Sequence, residues 1–359
     1  MEAGDGHVTD LLGAWALDAC DAEEADAVAA HVRGCPSCAR EAATLRQAAA
    51  ALTMLTVRAD TDAWLPPPAA RVLTAALARR RPAPLVPAFA APFAAAAGLL
   101  ESALAEIDET AWGTPSPVRD WTISDLVAHL AATDALLAAA IGIAADPPVD
   151  PHQNTVAHSE MVIAHARTRP PAHSRELWRH GVHAIAARLR AEPALASRIV
   201  QVGGVEMAVA DHLVTRAFET WIHARDIAGV IGLRLPHPLG EHLHAMSGLA
   251  ARLLDQLCAS HAPGLGTPAS GGSPAGMVRL TLTGPGGGSW LVRVGATGRA
   301  EAAGDAARTP PAAEISLHTV EFCLLVGDRR TPGDLDVAIT GDDALGRRLL
   351  TLAPALSGP

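Results

Sequence analysis

Lysine and tyrosine are both missing from this chain of 359 residues, so every one of its 28 basic side chains is an arginine. Aromatics make up only 3%, while 49% of the residues are apolar, so the core must be built mainly from Ala, Leu and Val. Charge of the positive sign is scarce: the formal net charge is −10, which argues against a phosphate-binding surface and direct nucleic-acid contact. Cysteines number five, an odd count. With no secretory signal in view, that argues for a reducing, cytoplasmic setting and against a disulfide framework. The charge-free stretch from Pro82 to Leu100 is rich in Ala and broken by Pro82, Pro84, Pro87 and Pro92. A membrane-spanning helix needs about 20 strongly apolar residues with an intact hydrogen-bond ladder. The stretch is therefore expected to be a linker running into a buried helix, and no membrane segment is expected.

What is present divides the chain. At roughly 100–200 residues per domain, the length allows two or three domains. Residues 1–50 carry nine acidic side chains against Arg33, Arg40 and Arg46. This acidic surface could dock a basic protein, or it could simply be solvated. Short helices are predicted over 7–55. Leu11, Leu12, Trp15 and Leu17 give the first apolar face, and Asp21 caps a second helix that opens Asp21-Ala-Glu-Glu. Residues 56–87 turn to Pro and Arg, as a semi-rigid linker with one short helix would. From 88 to 262 the pattern is helical, with helices expected near 88–108, 122–143, 154–191 (broken near Pro170-Pro171), 206–231 and 238–259. Their length and spacing predict a four-helix bundle. A Gly/Pro/Ser-rich boundary follows, and residues 275–359 read as a small α+β domain. Met277-Val-Arg-Leu-Thr-Leu-Thr and Trp290-Leu-Val-Arg-Val form a β-hairpin around Gly284 to Gly288, and Ile315 to Val326 reads as a helix.

The strongest short motif is His31-Val-Arg-Gly-Cys35-Pro-Ser-Cys38. Two thiolates two residues apart can grip one zinc ion from a tight turn, and His31 reaches it from the preceding helix. A closed structural site needs a fourth ligand. His7 is favoured, with Cys20 the competitor, because Cys20 sits between the two helices and needs a sharper return. No βαβ pattern surrounds the Cys-x-x-Cys pair, which argues against a thioredoxin-like redox role.

This stretch resembles the zinc-binding anti-sigma domain family from His7 to about Leu55. The matching features are the early His, the Leu11-Leu-Gly-Ala-Trp15-Ala-Leu-Asp-Ala helix, the acidic helix start and the His-x3-Cys-x2-Cys spacing. The resemblance implies an extracytoplasmic-function sigma factor as partner, gripped in part by the helix after the finger. Here that helix is expected over Ala39 to Met54, with Leu45, Ala49 and Leu52 on one face.

A second constellation lies in the bundle. Asp120-Trp-Thr-Ile-Ser-Asp-Leu-Val-Ala-His129-Leu begins a helix, with Thr122 suited to the N-cap and Asp125 to the N3 position. Downstream, Glu219 and His223 are four residues apart and share a helix face. Such a Glu/His pair is more often hydrogen-bonded than metal-binding. A His129–Glu219–His223 set would nevertheless offer three ligands and leave an open position. Asp226 or Asp134 could orient a ligand imidazole.

Residues from about Pro92 to Leu233 resemble the amino-terminal domain of mycothiol-dependent maleylpyruvate isomerases, within the DinB-like four-helix superfamily. The pieces that match are Ala111-Trp-Gly-Thr-Pro-Ser-Pro, Trp121-Thr-Ile-Ser-Asp-Leu-Val-Ala-His129-Leu and Glu219-Thr-Trp-Ile-His223-Ala-Arg-Asp226-Ile-Ala. Residues Ala338 to Leu350 are similar to the small domain that follows the bundle in those proteins. The resemblance implies a divalent metal, usually zinc, on His129, Glu219 and His223. It also implies mycothiol as a thiol whose pKa the metal lowers, and an arginine for substrate carboxylates, for which Arg216, Arg225 and Arg293 are candidates. A lysine-free, Ala/Gly/Pro-rich chain fits the GC-rich actinobacterial coding bias. The fused pair suggests a cytoplasmic anti-sigma regulator whose bundle senses a small-molecule thiol or electrophile. The alternative is a mycothiol-dependent isomerase or thiol transferase.

Overall fold

The computed structural model describes residues 8–17, 19–56, 83–145, 148–260, 276–295 and 310–357. The chain divides into two compact units, Met1–Ala78 and Arg79–Pro359. His7 and most of the expected linker, residues 57–82, lie outside the described residues.

The first unit holds three helices: α1 (Thr9–Ala16), α2 (Ala22–Gly34) and α3 (Pro36–Thr56). Asp21 caps α2 as expected, in a reciprocal capping box: its carboxylate accepts the Glu24 N–H at 2.9 Å, while the Glu24 carboxylate accepts the Asp21 N–H at 3.1 Å. Helix α2 stops at Gly34, Cys35 is extended, and Pro36 opens α3, a first-turn position where its missing N–H costs nothing. The core here is small: Leu12, Val28, Cys38 and Ala42, with Leu11, Trp15, Val32 and Leu45 against it. Arg46 of α3 stacks on Trp15 of α1, 3.6 Å from the ring centroid.

The second unit is mainly helical with a small sheet at its C-terminal end. Its bundle comprises α4 (Ala91–Leu104), α5 (Ile123–Ala140), α7 (Ala172–Ala191) and α8 (Val209–Val230), with the shorter α6 (Thr155–Ala166) against α5. Residues 154–191 break where the prolines predicted, because Pro170 and Pro171 cannot continue the α6 ladder. Helix α5 starts at the expected N-cap, Thr122, and Asp125 at N3 completes a reciprocal capping box with it. Among the described residues α5 is long and apolar enough to cross a membrane, but 78% of it is buried inside the protein, as a core helix is.

Two sequence expectations are corrected. The helix expected to start at 206 starts at Val209, because β1 (Ile199–Val202) and β2 (Val205–Ala208) form a hairpin immediately before it. Gly203 and Gly204, both at positive φ, make the two-residue turn. The helix expected over Ile315 to Val326 is a strand and then a helix: β5 (Ala313–His318) and α10 (Thr319–Val326). Ala313, Ile315 and Leu317 alternate into the core, and β5 pairs on both edges. The His318 Nδ1 then accepts the Val320 N–H and starts the helix.

The sheet has the order β4 (Gly288–Val294), β3 (Gly276–Thr283), β5 and β6 (Ala338–Gly341), with β3 and β5 parallel and the other pairs antiparallel. Helices α9 (Gly240–Ser260) and α11 (Asp343–Leu352) cover its apolar face. Helix α10 joins sheet to bundle: Phe322, Leu325 and Val326 enter the sheet core, while Val320, Cys323 and Leu324 enter the bundle core.

Candidate metal centres

In the first unit the chain reversal at Gly34-Cys35 brings His31, Cys35 and Cys38 together, with one ligand atom of each within 4.8 Å of the others. The α3 N-terminus shapes the thiols. The Cys35 thiol is brought down to about 6 by the Ser37 hydroxyl, 3.1 Å away, and by the Cys38 N–H. Burial pushes Cys38 up. Cys20 is not in this cluster; its Sγ lies 3.9 Å from the Leu11 carbonyl. The preferred fourth ligand, His7, lies outside the described residues. A His/Cys/Cys donor set closing on a turn suits zinc.

In the bundle, a polar stripe runs along α8: His212, Arg216, Glu219, His223 and Asp226, spaced alternately four and three residues apart. That spacing keeps them on one helix face. His129 of α5 meets the stripe, and its ligand atom and those of Glu219 and His223 lie within 4.8 Å of one another. His129 Nε2 is 2.7 Å from Glu219 Oε1, and the two imidazoles stand edge-on with centroids 5.5 Å apart. Both rings are oriented from behind. His129 Nδ1 pairs with Ser159 Oγ of α6 at 3.0 Å, and His223 Nδ1 with Asp226 Oδ2 at 3.0 Å. These contacts leave the Nε2 edges facing the cluster, the arrangement metal-binding histidines need.

The electrostatics match. Burial pushes the His223 pKa down, only partly offset by Asp226, so the imidazole is neutral. For Glu219 burial alone would raise the pKa, but the Arg216 guanidinium and the His129 contact hold the carboxyl far below the usual range. Two imidazoles and a carboxylate, with both Nδ1 atoms already engaged, fit a divalent ion such as zinc.

Of the residues proposed to orient an imidazole, Asp226 does so. Asp134 does not, because its Oδ1 instead accepts Arg216 Nε at 2.8 Å. Arg216 is likewise committed, to Asp134 and Glu219. Arg225 lies over the Trp221 ring and Arg293 sits on β4; neither hydrogen-bonds to the three-ligand group. Sequence reasoning missed Ser159 and Arg329. Arg329 reaches from beyond α10 to clasp Asp226 with both Nε and Nη2, at 2.8 and 2.5 Å.

Residues 93–228 match the family model of the mycothiol maleylpyruvate isomerase N-terminal domain, and residues 7–39 match a zinc-finger family model. The two matches fall in different units of the chain. The zinc-finger match spans His31, Cys35 and Cys38, and the isomerase-type match spans His129, Glu219 and His223. Two Mycobacterium tuberculosis proteins, from strains H37Rv and CDC 1551 / Oshkosh and both described as uncharacterized, are 28% identical over 275 residues. The alignment takes in 76% of this chain and 96% of each relative, so those relatives are shorter than this chain. Crystal structures of the mycothiol-dependent maleylpyruvate isomerase and of a point mutant of it superpose on 70% of this chain and 91% of theirs, with a TM-score of 0.48 and 19% identity.

Proposed function

We propose that the protein is a cytoplasmic zinc-binding regulator of the anti-sigma type whose isomerase-type bundle holds a divalent metal, by preference zinc, and senses a small-molecule thiol such as mycothiol. His31, Cys35 and Cys38, with His7, hold the structural zinc. His129, Glu219 and His223 hold the bundle metal. The observation that carries the reading is this second cluster: three donors converge there with both imidazoles braced by Ser159 and Asp226. When bound, a metal there supplies Lewis acidity that keeps a thiol ionised at neutral pH. The acidic first unit is the surface for an extracytoplasmic-function sigma factor, and thiol occupancy of the bundle governs release of that partner.

A second reading is a mycothiol-dependent isomerase or thiol transferase. It is favoured by the Glu219 side chain, which is 25% exposed and leaves the cluster open to a substrate on that side.

The first test is zinc stoichiometry of the full chain and of its His31→Ala and His223→Ala variants. Two zinc ions in the parent and one in each variant are expected. Retention of a sigma factor that mycothiol then releases would support the regulator; turnover of maleylpyruvate with mycothiol would support the enzyme. A single zinc, lost only in His31→Ala, together with no mycothiol binding would overturn both readings of the bundle.

A further inference from the structure

Helix α8 carries a buried cation whose position is hard to explain by stability. The Arg216 side chain is 7% exposed and Asp134 of α5 is 0% exposed. Arg216 Nε bonds Asp134 Oδ1 at 2.8 Å, and Arg216 Nη1 bonds Glu219 Oε2, one turn along the same helix. A flexible side chain is thus gripped along two edges of its guanidinium. A buried ion pair typically stabilises a fold no better than apolar residues of the same volume. The placement of this one answers to what it does to Glu219.

We propose that Arg216, braced by Asp134, is a positioning residue that restricts Glu219 to a single ligating oxygen and so keeps one coordination position of the bundle metal open for a thiolate. The inference rests on the metal reading of the bundle given above. Glu219 Oε1 is turned toward the imidazoles, 2.7 Å from His129 Nε2, while Oε2 is held by Arg216. For both oxygens to reach a metal, the carboxylate must rotate away from Arg216 and leave a buried guanidinium short of a partner, a costly arrangement. One oxygen and two imidazole nitrogens make three donors, and zinc takes four. A chelating Glu219 would fill the remaining position.

The test uses the full chain loaded with Co2+, whose visible bands are strong in four-coordinate sites and weak at higher coordination number. The difference spectrum between the protein and its His223→Ala variant isolates the bundle ion. In an Asp134→Asn/Arg216→Gln double variant, which removes both buried charges at nearly constant volume, the ion is expected to remain while the visible bands lose intensity. The thiolate-to-cobalt band that mycothiol induces should need about tenfold more thiol, the lower end of what loss of a supporting contact costs a metal site. If far-UV circular dichroism shows the double variant unfolded, Arg216→Lys serves in its place. Its ammonium cannot hold two edges at once, so intermediate band intensity is expected. A variant with the parent's spectrum and the parent's thiol midpoint overturns the inference and leaves the metal reading standing. A parent with no bundle cobalt at all overturns both.

Discussion

Asp226 receives three donors at once: His223 Nδ1 on one side and Arg329 Nε and Nη2 on the other. It sets the tautomer and aim of a proposed metal ligand while being held by a residue about a hundred positions away. Replacing it with Asn keeps an acceptor for His223 but gives up the charge-assisted clasp. Zinc affinity of the bundle is expected to fall 10- to 100-fold, the usual cost of losing such a contact. Competition with a calibrated chelator would measure it, with the zinc-finger site as internal control; unchanged affinity would show that Asp226 does not orient the ligand. Ser159→Ala tests the same idea at His129, with the effect at the lower end of that range because a neutral hydroxyl is lost. His129, Glu219 and His223 were legible in the sequence through the resemblance of the segments that carry them to the isomerase-type domain; a helix start and an i,i+4 pair alone mark a hydrogen-bonded pair more often than a metal site. Ser159 and Arg329 were not, since each meets its partner only after the chain has folded back, and neither lies in a local pattern that marks it.

Among the elements, α5 presents His129 and so fixes one side of the bundle centre. Its first turn is held by the Thr122–Asp125 box, and Asp125 also takes a bidentate contact from Arg167, both bonds at 3.0 Å. Thr122→Ala is expected to cost about 1 kcal/mol, within the usual range for a lost N-cap, read as a lower urea midpoint. Asp125 has a pH signature. Burial pushes its pKa up, but Arg167 and Thr122 outweigh burial and leave it below the ordinary carboxylate value. A depressed folded pKa means stability that is present above the unfolded value, about 3.9, and is lost as pH falls through the folded one. The stability gap between the parent and Asp125→Asn should therefore be largest near pH 7 and shrink below about pH 4; a gap independent of pH would exclude this role for the charge. The N-caps Asp21 and Thr122 could be read from sequence because a cap acts over three residues. Strand β5 could not. The run from Ile315 to Val326 is apolar at both strand and helix spacing, and only pairing with β3 and β6 decides for a strand up to His318. The Gly203-Gly204 pair is itself a hairpin signal, set directly before a strong helical pattern.

Across the whole molecule the two units differ in what holds them together. The second has two large apolar clusters, joined by α10, and such burial at roughly 25 cal/mol per Å² sustains a fold without help. The first has only Leu12, Val28, Cys38 and Ala42 fully buried among its described residues, and one of these is a proposed zinc ligand. The burial these four residues supply is small beside the chain entropy of three helices. On the zinc reading proposed above, metal binding adds stability to this unit, as in small metal-dependent domains whose binding energy is folding energy. Chelation of the His223→Ala variant, which keeps only the zinc-finger site, should therefore remove the helical circular dichroism of α1, α2 and α3. The near-ultraviolet signal from Trp178 and Trp221, both buried in the second unit, should be unchanged. Re-addition of one equivalent of zinc should restore the lost helicity, and His31→Ala should reproduce the loss without chelator. If chelation leaves the helical signal intact, the first unit folds on its apolar contacts alone and His31, Cys35 and Cys38 are not its structural basis. Loss of both signals together would instead mean that the folding of the two units is linked.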